Sequence, residues 1–336
     1  MASEDRAPTA WLVGVCFLGV LLGTQGVTAQ AQDDVSATQP QEDASAAQPQ
    51  DDASAAYTPA GADTCLRCHD ESSEFPVLAI FQSKHARAAD PRTPFGGLQC
   101  EACHGPGGAH AARVRRGEER PPVIDFGSHA KTPVTTQNTQ CLGCHSDQVT
   151  HNWAGSPHEA EGLACADCHR IHSASDAVTE KAEQPATCYK CHARVRADTF
   201  KASSHPIRYG EMACSECHQP HGSTADAQLV RATLNDTCFT CHAEKRGPYL
   251  WEHAPVAEDC SLCHRAHGSN HPAMLTKRPP LLCQQCHSEA DHPSVAYTAD
   301  GLPTGTPNAF LLAGSCTNCH SQVHGSNHPS GAHLSR

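Results

Sequence analysis

The chain has 336 residues and a formal charge of −12, from 24 Lys and Arg against 36 Asp and Glu. Aromatic residues make up only 5 %, while Gly and Pro number 24 each, which excludes a large conventional hydrophobic core. The acidic balance also excludes a nucleic-acid partner, which needs a basic face.

In chain order, residues 1–31 read as an export signal. An apolar run at residues 11–23 precedes small residues, with Ala29-Gln30-Ala31 as a cleavage site. The run is short against the roughly 20 residues of a membrane span. Glu4 and Asp5 beside the single Arg6 make an atypical leading segment, so an uncleaved anchor is the alternative. Residues 32–62 carry the tandem nonapeptides QPQEDASAA (39–47) and QPQDDASAA (48–56). Such a stretch cannot bury enough apolar surface to offset its ordering entropy, and a disordered acidic linker is expected. Residues 1–76 hold 12 Asp and Glu against Arg6 and Arg67, a net of 2 − 12 = −10. Nearly all of the chain's excess charge therefore lies in its first quarter, and the cysteine-rich remainder is close to neutral.

From residue 63 onward the pattern is Cys-x-x-Cys-His, ten times over. The first five copies are Cys65-Cys68-His69, Cys100-Cys103-His104, Cys141-Cys144-His145, Cys165-Cys168-His169 and Cys188-Cys191-His192. The second five are Cys214-Cys217-His218, Cys238-Cys241-His242, Cys260-Cys263-His264, Cys283-Cys286-His287 and Cys316-Cys319-His320. In chain order these are motifs one to ten. Each is the attachment signature of a c-type haem: two thiols add across the porphyrin vinyl groups, and the adjacent His reaches the iron. A zinc site, redox dithiol or disulfide framework is the rival reading of a Cys pair. None of these places His directly after the second Cys in every copy, when 25 His in 336 residues would do so about once in thirteen. Ten covalently attached haem c groups are expected, consuming every Cys except Cys16. Haem c is attached outside the cytoplasm, so a periplasmic location agrees with the leader.

Successive motifs start 35, 41, 24, 23, 26, 24, 22, 23 and 33 residues apart. So little protein per haem predicts a multihaem cytochrome of short α-helices and irregular chain with little or no strand, the porphyrins supplying much of the buried apolar area. The architecture is quasi-one-dimensional, each unit leaning on its neighbours. Five di-haem units are legible, grouped as two pentahaem halves at 63–192 and 193–331. In each unit a His lies between the two motifs (His85, His158, His205, His253, His292) and another trails the second (His110, His172, His221, His267, His324). Ten spare imidazoles for ten irons predict bis-His, six-coordinate haems closed to substrate. Only Met212 and Met274 follow the leader, so His/Met ligation cannot be general, and bis-His ligation keeps potentials lower. Which His serves which iron is not readable at this level. His328 rivals His324, which is preferred because His-Gly also ends the units at His221 and His267. The remaining His129, His151, His271 and His333 are expected at the surface, as are the clustered Arg113, Arg115, Arg116 and Arg120.

Over residues 63–331 the chain resembles one family, the decahaem cytochromes of outer-membrane porin–cytochrome conduits of the MtrA, DmsE and PioA types. The likeness rests on the ten motifs in order, on Pro94-Phe95, and on Cys103-His104-Gly105-Pro106-Gly107-Gly108-Ala109-His110. It continues through Ser203-Ser204-His205-Pro206, the stretches 242–248 and 250–255, and the closing 323–331. The acidic tandem linker departs from it. The resemblance implies an extended haem wire that joins a β-barrel porin of the outer membrane from the periplasmic side. It would take electrons from a periplasmic or inner-membrane donor cytochrome and pass them to a cell-surface multihaem cytochrome, or run inward from ferrous iron. Two other readings compete: a soluble periplasmic electron shuttle, and a multihaem reductase of the nitrite or hydroxylamine type. The reductase needs an open iron, which ten complete motifs and ten distal candidates argue against.

Overall fold

Each of the ten motifs closes into the same helical turn. The amide of the motif His donates to the carbonyl of the first Cys at 2.9–3.1 Å throughout, as in His69 to Cys65 and His320 to Cys316. This turn puts the two Cys, three residues apart, on one face. The computed structural model describes residues 56–73, 77–147, 150–287 and 316–335. The expected leader, residues 32–55 of the expected linker, and His292 lie outside the described residues; the linker's last stretch, 56–62, is ordered, against the disorder expected from its sequence, because Thr58 is bonded to Glu101. The described residues belong to one compact unit.

Local structure follows a two-motif period. The first Cys of motifs one, three, five and seven sits at or near the end of a helix: Ala62–Cys65, Val134–Leu142, Gln184–Cys188 and Leu234–Phe239. Motifs two, four, six and eight instead occupy single turns of their own: Glu101–His104, Cys165–Cys168, Cys214–Glu216 and Cys260–Leu262. Proline and hydroxyl residues start several of the short elements. Ser156 Oγ accepts the Glu159 amide ahead of Pro157, and Thr233 Oγ1 accepts that of Asp236. Among the described residues there is no strand, only four isolated antiparallel bridges: Ser203 with Ser269, His218 with Leu229, Trp251 with Ser326, and His264 with Leu275. No described helix is long and apolar enough to cross a membrane.

Among the described residues seven apolar ones are buried, Phe95, Trp153, Ile207 and Leu229 among them, against ten polar ones. Three of the polar ones are amide clamps that tie a motif to the next. Asn138 donates to Leu163 O and accepts from Cys165 N, holding motif three to motif four. Asn235 repeats this with Val256 O, Ala257 O and Cys260 N between motifs seven and eight. Gln184 bonds Val178 O, Ser215 Oγ and Ser215 N between motifs five and six. Buried Glu101 anchors the start of the described chain, accepting from Thr58 N, Thr58 Oγ1 and Gly107 N. Each such group is satisfied, which is what makes its burial tolerable.

Candidate haem sites

A connected cavity of about 6230 Å³ is lined by all twenty motif Cys and all ten motif His. Ordinary ligand pockets run to roughly 300–1,000 Å³, so this space suits an array of large groups. None of the twenty motif Cys is in a disulfide. Burial pushes Cys100 up to about 11 and Cys238 up to about 12, with the facing Cys65 and Cys260 adding to it. Among the described residues no three His, Cys, Asp or Glu converge on a metal position.

The His instead come in twos. Ring centroids stand 6.3 Å apart for His69 and His110, 6.1 Å for His104 and His172, and 6.1 Å for His145 and His85. They are 5.9 Å apart for His169 and His221, 6.2 Å for His192 and His158, and 6.0 Å for His218 and His267. The series ends with His242 and His205 at 6.3 Å, His264 and His324 at 6.1 Å, and His287 and His253 at 6.2 Å. Two metal–nitrogen bonds of about 2 Å, with each nitrogen about 1 Å from its own ring centre, span about 6 Å. A haem iron fits between every such pair, its four equatorial positions left to the porphyrin.

Hydrogen bonding sets which nitrogen faces inward. Nδ1 donates to a backbone carbonyl in motif residues His104 (Ile124, 2.7 Å), His218 (Ala227, 2.8 Å), His264 (Ala273, 2.8 Å) and His320 (His333, 2.6 Å). Among the spare His it does so in His110 (Pro121, 2.8 Å), His158 (Pro220, 2.7 Å), His205 (Ala266, 2.8 Å) and His253 (Val323, 2.9 Å). This leaves Nε2 as the bare, metal-facing nitrogen and fixes the ring. In His169 alone among these rings the acceptor is a carboxylate, Asp176 Oδ2 at 2.6 Å. Burial pushes His85, His172, His221, His267 and His324 below the ordinary imidazole range, which keeps them neutral. Neutral imidazole is the form that binds a metal.

The pairs interlock the units. From motif two to motif nine, an even motif meets the trailing His of the following unit and an odd motif the intervening His of the preceding one. The carbonyls of Pro220, Ala266 and Val323, each directly before a trailing His, also hold the intervening His158, His205 and His253. Gly follows each of these trailing His, at φ +102° in Gly222, +132° in Gly268 and +128° in Gly325. A Cβ there would strike Asn152 O, Asp198 O and the Tyr249 ring respectively. That close approach is the physical content of the His-Gly signature.

Successive motifs come close through alternating cysteines. First-Cys thiols meet between motifs one and two (Cys65, Cys100), three and four (Cys141, Cys165), and five and six (Cys188, Cys214). They meet again between seven and eight (Cys238, Cys260) and nine and ten (Cys283, Cys316). In the intervals the second Cys of neighbouring motifs lie near enough to influence each other electrostatically: Cys103 with Cys144, Cys168 with Cys191, Cys217 with Cys241 and Cys263 with Cys286. The spatial order of the motifs is therefore their order in the sequence.

Of the remaining His, His328 has its Nδ1 bonded to the Ser330 hydroxyl, so that of the two rivals only His324 meets a motif ring. His129, His151 and His333 are exposed, while His271, expected at the surface, is half-buried with its amide on Ser269 Oγ. The Arg cluster is partly structural: Arg120 donates to the carbonyls of His110 and Ala112. Neither the amide clamps nor Asp176 is among the expectations from sequence. The recurring Asn-x-x-Cys of Asn138 and Asn235 is a signal for the former, and a lone acid seven residues after a motif His offers none.

Comparison with known proteins agrees with this chemistry. The family of the doubled CXXCH motif matches residues 205–247 and 253–292. That of cytochrome c-type NrfB-like proteins matches residues 100–184. The multiheme cytochrome MtrA of Shewanella baltica (strain OS185) is 49 % identical over 282 residues, 83 % of each chain. With its paired motifs, short helices and strandless described chain, this protein belongs to the MtrA family of multihaem c-type cytochromes, which transfer electrons and are not enzymes.

Proposed function

We propose that the chain carries ten haem c groups, one per motif, and conducts electrons between the periplasm and the cell exterior through an outer-membrane β-barrel porin. The nine ring pairs are the axial ligand sets of the first nine haems. His292, the one distal candidate left over, serves His320. Bound haem supplies the one-electron exchange between ferric and ferrous iron. The protein's part is to hold each ring by its Nδ1, keep the distal imidazoles neutral, and cap every iron so that no substrate binds. The two pentahaem stretches, 63–192 and 193–331, are consecutive lengths of one wire. Donor and acceptor are a periplasmic or inner-membrane cytochrome and a cell-surface multihaem cytochrome, or the reverse for inward flow from ferrous iron.

The observation that carries the wire is the unbroken succession of neighbouring motif cysteines in chain order. The conduit role leans on the 49 % identity to multiheme cytochrome MtrA. Reconstitution tests it. Proteoliposomes with reduced dye inside and an insoluble ferric oxide outside should pass electrons only when the cytochrome and a co-purifying barrel are both present. A cytochrome that stays wholly soluble, co-purifies with no barrel, and only exchanges electrons with periplasmic proteins would make it a shuttle.

A further inference from the structure

Where the Nδ1 of a candidate ligand is hydrogen-bonded, the acceptor is a backbone carbonyl except at the fourth motif; at the seventh, His242 Nδ1 stands 3.9 Å from the exposed Glu244 carboxylate, beyond hydrogen-bond distance. Eight rings place their Nδ1 proton on a neutral backbone carbonyl. His169 places it on the Asp176 carboxylate at 2.6 Å, with side chains 31 % and 18 % exposed. The carboxylate is held from the other side: Oδ1 accepts the Arg170 amide at 3.1 Å, and Asp176 begins the turn Ala177–Thr179. The facing ring gives no counterweight, because His221 Nδ1 is buried with no hydrogen-bond partner. A second carboxylate, Asp167, lies close enough to act on both Cys165 and Cys168, and Lys190 approaches Cys168 from the fifth motif.

A carboxylate is a stronger acceptor than a carbonyl, its hydrogen bonds shorter and roughly twice as strong. Drawing the Nδ1 proton outward raises electron density at Nε2, and a more basic ligand favours ferric over ferrous iron. The added negative charge near the iron acts in the same sense, since reduction adds an electron beside it. The fourth motif lies between the third, through Cys141 and Cys165, and the fifth, through Cys168 and Cys191.

We infer that Asp176 is a tuning residue that holds the fourth haem at a lower potential than the third and fifth, making it a station that stays oxidised while its neighbours fill. This rests on the reading of the motifs as a haem wire. Electrons then cross the fourth position by an uphill step, and that step governs how readily the first three haems exchange electrons with the rest.

The test uses the full haem-loaded protein and its Asp176→Asn, Asp176→Ala and Asp176→Glu variants, with haem number checked by intact mass. In optical redox titration, Asn and Ala should move one haem's share of the amplitude to more positive potential, and Glu should restore it towards the wild-type curve. Superimposable titrations with all haems present would overturn the inference and leave the wire standing. A wild-type mass short of ten haems would instead overturn the wire. A second measurement needs no variant. His169 and His221 are near parallel at 16°, whereas the ring pairs of motifs three and five cross at 70° and 72°. Parallel and crossed imidazole planes give rhombic and large-g low-spin EPR signals respectively. The second pair is also crossed, at 72°, so as the wild-type protein is poised at successively lower potentials at least two of the three large-g signals should vanish before the last rhombic one. Two or more large-g signals that outlast all the rhombic ones would contradict the assignment.

Discussion

Replacing Asn235 by alanine removes a side chain only 8 % exposed that ties the seventh motif to the eighth. Its amide donates to Val256 O at 3.1 Å and Ala257 O at 3.2 Å, and its oxygen accepts the Cys260 amide at 2.8 Å. A net hydrogen bond contributes about 1 kcal/mol, and a buried donor left unsatisfied costs about 1–3 kcal/mol. Alanine strands the Cys260 N–H and releases two carbonyls, a local cost of about 3 kcal/mol. At 1.4 kcal/mol per factor of ten, opening around residues 254–264 becomes roughly a hundredfold more frequent. Hydrogen exchange by mass spectrometry on the haem-loaded protein reads this directly. Peptides over 254–264 should exchange roughly a hundredfold faster, while those around Asn138 keep their wild-type rates. Asn327, which accepts the Leu250 amide at an exposed position, is the control, its alanine variant shifting local stability by no more than about 0.5 kcal/mol. An Asn235→Ala exchange profile matching wild type would refute the clamp.

The ring pairs and their turns yield three more predictions. His253→Ala should open one iron, at His287, and free the Val323 carbonyl. Carbon monoxide titration of the ferrous variant should find one binding site where the parent has none, and no binding would mean that His253 is not a ligand. Gly268→Ala forces a side chain to φ +132° against Asp198 O, strain of about 1–3 kcal/mol at the turn that carries His267. High-spin iron should then arise at the sixth haem, an effect absent from Gly117→Ala, where no atom lies within 4 Å of the new Cβ. Glu101→Ala leaves Thr58 N and Gly107 N without their acceptor, and limited proteolysis should cut faster near residue 58.

The motif turns are legible in the sequence because they are local: a five-residue signature closes its own His-to-Cys hydrogen bond. The spare His are legible as a set by count and register, and the His-Gly ending favours His324, whose ring stands 6.1 Å from that of His264. Pairing is not, since His85 meets His145 and His264 meets His324 across sixty residues, a distance at which no periodic pattern speaks. The crossing of units has a physical logic visible only in space. A turn such as Pro220-His221-Gly222 presents a ring to one site and a carbonyl to the ring of another. The five-unit repeat is thus a repeat of sequence, while the ring pairs run between units. The amide clamps escape a sequence reading because buried polar residues in a chain this hydrophilic look like surface. Asp176 escapes it because the other motif His with a bonded Nδ1, namely His104, His218, His264 and His320, use backbone carbonyls, which carry no signature.

The central claim is that every iron is capped by two imidazoles, so that the array conducts and does not catalyse. EPR spin quantitation of the fully oxidised protein tests it most directly. The account predicts low-spin ferric haem alone, with both rhombic and large-g signals, integrating to one spin for each haem counted by mass. A stoichiometric high-spin signal near g = 6 in the intact protein would contradict it.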